Sequence, residues 1–110
     1  MSKDYWETMA EPLPNSKDFG FEPPEDWREN AGALIDAAEA FKRTVGYYRW
    51  QIAQCEWSIR RLQAELDYLA GSEGAYAEYV RRSNPHAIRY ENERINECLA
   101  KIIEIEGRAA

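Results

Sequence analysis

His86, Cys55 and Cys98 are the residues of this chain from which metal, redox or nucleophilic chemistry would ordinarily be built. Their placing does not build it. A zinc site or a redox pair wants thiols a few residues apart, and Cys55 and Cys98 stand in different segments without such partners. His86 is the sole histidine, with no set of cysteines or carboxylates at ligand spacing around it. No glycine-rich phosphate loop, nucleophile elbow or paired-acid motif occurs. The chain therefore reads as a non-enzyme without metal or cofactor. Both thiols fall on apolar stripes, where cysteine behaves as a small buried hydrophobe.

A second constellation suits recognition. Tyr47, Trp50, Gln54, Trp57, Arg61, Ala64 and Tyr68 recur at alternating intervals of three and four, one face of a helix. Each indole can bury ~150–250 Å², so this face calls for a cover. The cover is either a second packing layer or a binding partner. A further alternative is a platform on which the bases of single-stranded nucleic acid stack beside Arg60 and Arg61. Charge weighs against that alternative. The net charge is −6, with eight acids against three bases in residues 1–30 and near-balance in the rest. No concentrated basic face is available for phosphates.

The element positioning these residues is the stretch from Trp27 to Leu69. Trp27, Ala31, Leu34, Ala38, Phe41, Val45, Tyr48, Ile52, Cys55, Ile59, Leu62, Leu66 and Leu69 keep the four–three spacing of a coiled-coil seam. It predicts one long helix, capped at Asp26 with Glu29 at the third helical position, allowed a bend near Gly46, and stopped at Gly71. A short connecting helix is expected over Ser72–Arg82. Asn84 and Pro85 then have the form of a helix start, opening a last helix that ends near Gly107. The fold class is all-α: a long coiled-coil-like helix, a short connector and a returning antiparallel helix, a helical hairpin or bundle over residues 26–110. The returning helix is expected to reach only half of the long one. The remaining stripe, with Trp27, Leu34, Phe41 and Val45, is then expected to be the seam of a homodimer.

Residues 1–25 form an acidic arm with four of the five prolines. Asp4, with Glu7 three residues on, predicts a short capped helix from Tyr5 to Ala10 that Pro12 ends. Tyr5, Trp6, Met9, Leu13, Phe19 and Phe21 are too many apolar groups for a solvated tail. The arm must pack on its own helix or dock on a partner. With no eighteen-residue apolar run and no secretory leader pattern, a cytoplasmic chain is expected.

These signals point to a protein-binding module, a dimeric helical regulator or inhibitor of a larger complex, contacting its partner through the arm aromatics and Tyr47, Trp50, Trp57 and Arg61. Virus- or mobile-element-encoded inhibitors of bacterial defence are often of this compact, acidic, motif-free kind. The rival expectation is a structural component of an assembly such as a virion.

Overall fold

The computed structural model describes residues 4–109, and every regular element in them is helical: α1 (Tyr5–Ala10), a 3-10 turn (Ser16–Phe19), α2 (Ala31–Phe41), α3 (Val45–Tyr68) and α4 (Ala75–Ala109). Met1–Lys3 of the expected arm and Ala110 of the hairpin lie outside the described residues. α3 and α4 pack against each other as the expected helical hairpin. The hairpin is held by the stripe that the heptad spacing marks. Cys55 of α3 is buried with Ala77, Val80, Cys98 and Ile102 of α4, while Ile52, Ile59, Leu62 and Leu66 are half-buried. No described helix is long and apolar enough to cross a membrane.

The expected single helix from 26 to 69 is in fact two. Phe41 ends α2, and Thr44 caps α3, its hydroxyl oxygen accepting from the Tyr47 amide at 3.2 Å and its O–H donating to the Phe41 carbonyl at 2.7 Å. Threonine supplies this local bond at a helix start better than within a helix, so the backbone breaks where the apolar spacing does not. The first cap is also displaced. Asn30, rather than Asp26, accepts from the Ala33 amide, and Asp26 closes a separate turn through its carbonyl to the amides of Glu29 and Asn30.

The break changes the expected dimer seam. Phe41 is only 9% exposed, and its ring lies among Phe21, Tyr47 and Trp50 of its own chain. Leu34 and Val45 are half-buried, while Trp27 and Ile35 remain exposed. The four seam residues thus do not present one open stripe.

The return is a single helix, not two. α4 has 35 residues against 24 in α3, so the returning helix is the longer, at ~52 Å against ~36 Å. Asn84 is no cap. It is buried, and its amide donates to the Leu62 carbonyl at 3.1 Å and to the Glu65 carboxylate at 2.9 Å, both on α3. Pro85 sits inside α4, and the helix also runs past Gly107. Packing of Val80 and Ala77 on one side of the proline and Cys98 and Ile102 on the other holds the helix continuous through it. The turn of the hairpin is latched by Arg81, which donates to the carbonyls of Leu69 and Ser72 at 3.0 Å each. A cation here also meets the negative end of α3. Its left-handed residue is Gly74, at φ 115°, rather than Gly71.

Cys55 and Cys98 are free and buried, as the stripe predicts. Burial, then the hydrogen bond to Glu91, pushes the Cys55 thiol from its usual 9.0 to about 12, and burial also raises Cys98. Below pH 9 folded and unfolded chains both keep the Cys55 proton. Between 9 and about 12 only the folded chain does, so stability falls as pH rises through that window. At pH 8 a thiol reagent is expected to label the native protein slowly and the denatured protein fast. Fast labelling of two thiols in the native state would contradict this packing.

Candidate functional site

The aromatic face of α3 is covered by the chain's own arm. α1 forms as its sequence predicts, with the Asp4 carboxylate accepting from the Glu7 amide at 2.8 Å and the backbone turning extended at Glu11 before Pro12. The arm then crosses α3 antiparallel to it. Trp50 donates its indole N–H to the Pro14 carbonyl at 2.9 Å, and Trp57 donates to the Glu11 carbonyl at 2.9 Å. Arg61 donates to the Met9 carbonyl at 2.8 Å while its guanidinium lies 4.6 Å from the centre of the Trp57 ring. Arg60 adds an ion pair to the Glu11 carboxylate at 3.0 Å.

The two ladders match in pitch. Seven helical residues from Trp50 to Trp57 advance ~10 Å, and three extended residues from Glu11 to Pro14 also advance ~10 Å. This lets donors one heptad apart reach carbonyls three residues apart. Neutral bonds of this sort contribute ~0.5–1.5 kcal/mol each. The ion pair adds less, because Arg60 is half in solvent.

A close approach fixes the other end of the arm. The Phe19 carbonyl of the 3-10 turn rests on Gly46, in the first turn of α3, where any Cβ would overlap it. Beside it, Phe21 meets Phe41 at 5.3 Å between ring centres. Gly46 was not legible as a site residue, since a helical glycine looks the same whether or not another backbone lies against it.

Past Arg61 the arm's aromatics spread over the end of α3. Tyr5 stacks on Tyr68 with centroids 4.3 Å apart, and Trp6 stands edge-on to both. Trp6 is 68% exposed. Tyr76 and Tyr79 of α4 are exposed as well, and the Tyr76 hydroxyl donates to Glu65 at 2.6 Å. An open groove of about 860 Å³ runs between α1 and α3, lined by residues that include Tyr5, Thr8, Arg60, Gln63 and Tyr68.

The structure thus divides the expected binding residues into two groups. Tyr47, Trp50, Trp57, Arg61, Met9, Phe19 and Phe21 are engaged with or half-buried under one another. Trp6 and Leu13 face solvent, and Tyr5 supports Trp6. A stacking platform for bases on Trp50 and Trp57 coincides with the ground the arm holds. Elsewhere, His86 is exposed on α4, and no three described His, Cys, Asp or Glu side chains gather as a metal site.

No family model, curated protein or solved structure matches this chain.

Proposed function

We propose that the chain is a non-enzymatic protein-binding module, a small helical regulator or inhibitor that docks on a larger complex through the ridge formed by Tyr5, Trp6 and Tyr68. The observation that carries this is Trp6. Its indole is two-thirds in water, yet it is set by ring contacts to Tyr5 and Tyr68 on a capped helical turn. Exposed tryptophan and tyrosine in a fixed cluster are the residue types that dominate interface energies. A ridge already ordered before binding avoids much of the entropy cost of docking. The acids of the arm keep the ridge soluble and favour a partner surface of opposite charge. The small size and the acidic, motif-free sequence of the chain are what lead us to a viral or mobile-element inhibitor of a defence complex as its setting.

Trp6→Ala tests the ridge. Because the side chain covers little of its own chain, the melting temperature is expected to stay within a few degrees of the wild type. Recovery of a stoichiometric partner from native lysate is expected to fall at least tenfold, the loss of a hot spot worth more than ~2 kcal/mol. A lowered melting temperature with undiminished capture would make Trp6 a packing residue and refute the docking role.

A further inference from the structure

We infer that the face of α3 bearing Trp50, Trp57 and Arg61 is a berth for an extended segment of a partner protein with an acidic residue three positions before a proline, and that the arm occupies it as a tethered stand-in. This rests on the chain being a protein-binding module, but it uses a different surface from the Trp6 ridge.

The contacts are of a kind that another chain can reproduce. Trp50 and Trp57 donate to main-chain carbonyls of the extended run from Glu11 to Pro14, at a spacing that other extended peptides also offer, and Arg61 donates to the Met9 carbonyl in the last turn of α1. Between Glu11 and Pro14 only the two ends are read. The Glu11 side chain is 16% exposed and lies on Arg60, and Pro14 is half-buried, whereas Pro12 and Leu13 are exposed. The berth therefore specifies an acid, a proline three residues later and an extended backbone between them. Proline pre-sets that backbone, so less entropy is lost on docking, and aromatic-lined grooves recognise proline-rich segments in just this way. Arg60 and Arg61 make the berth basic, complementary to an acidic peptide. A foreign segment must displace an arm held at high effective concentration by its tether, so the closed form binds weakly and loosening the arm opens the site.

The test uses a fluorescent synthetic peptide copying residues 7–16 of this chain, which carries Glu11 and Pro14 but not the Phe19 carbonyl that meets Gly46, titrated into full-length protein. Wild type is expected to bind it weakly. Two full-length variants loosen the tethered arm by independent means: Glu11→Lys reverses the charge facing Arg60, and Gly46→Ala pushes away the Phe19 carbonyl. In at least one of them, with helix content retained by circular dichroism, the peptide is expected to bind ten or more times more tightly than in wild type. Adding Trp57→Phe, which keeps a ring but removes the N–H, is expected to abolish that gain. A peptide carrying Glu11→Lys and Pro14→Gly is expected to bind at least tenfold more weakly. No gain in either variant, or a gain indifferent to Trp57→Phe, would overturn the inference. A two-chain wild-type species that the peptide dissociates would give the berth to the arm of a second copy and overturn its assignment to a different protein. None of these readouts depends on Trp6, so failure of the ridge and failure of the berth can be told apart.

Discussion

Gly46→Ala is expected to lower the melting temperature by roughly 10 °C, about 2 kcal/mol, and to free the arm while leaving the hairpin helical. The sign is the informative part. At an exposed position within a helix, alanine in place of glycine stabilises by about 1 kcal/mol. Here the added methyl would overlap the Phe19 carbonyl oxygen and press on the Phe41 ring, which lies 3.4 Å from the position a Cβ would take. Phe19 belongs to the main chain of the 3-10 turn, so no side-chain rotation relieves the overlap. The turn must lift, and with it the bond from Trp50 to Pro14 at 2.9 Å. Tryptophan fluorescence should shift to the red as Trp50 meets water, and far-ultraviolet dichroism should change little. A raised melting temperature would show that the 3-10 turn does not rest on Gly46.

The second large effect runs the other way. Pro85→Ala is expected to stabilise the protein by about 2 kcal/mol, a little under the ~3 kcal/mol that proline costs inside a helix. Pro85 is exposed, so its ring contributes little packing. It has no amide hydrogen for the bond one turn back, and its ring crowds that turn. Alanine restores both. The midpoint of urea unfolding should rise with an unchanged slope, since the folded and unfolded surfaces hardly differ. An unchanged or lowered midpoint would show that α4 gains something from the proline.

The same position shows what a sequence can hide. Asn84-Pro85 has the form of a helix start, and reading it locally divides α4 in two. What overrides it is across the hairpin: the Asn84 amide is spent on Leu62 and Glu65, partners some twenty residues away that no local pattern names. The heptad stripe misleads in the opposite direction. It records which side chains face inward, and Phe41 and Val45 keep that record across a break that Thr44 makes in the backbone. The hairpin itself, the capped turn at Asp4, the buried thiols and the need to cover Trp50 and Trp57 were all legible, because each follows from spacing or from the area of a side chain. That the cover would be main-chain carbonyls of Met9, Glu11 and Pro14 was not, since any residue supplies a carbonyl.

The clasp between arm and α3 also sets an order of events during synthesis. Its bonds join residues 36 to 52 positions apart, whereas the helices of the hairpin are joined by a short turn. The arm is translated before its berth, and closing the larger loop gives no reward until α3 exists. Trp6, Leu13, Phe19 and Phe21 therefore leave the ribosome with nothing to cover them. Interspersed Glu7, Glu11, Asp18 and Glu22, with Pro12, Pro14, Pro23 and Pro24, are the residue types that keep such a stretch from pairing with other nascent chains. The acidity of the arm thus guards the newborn protein before it serves the folded one.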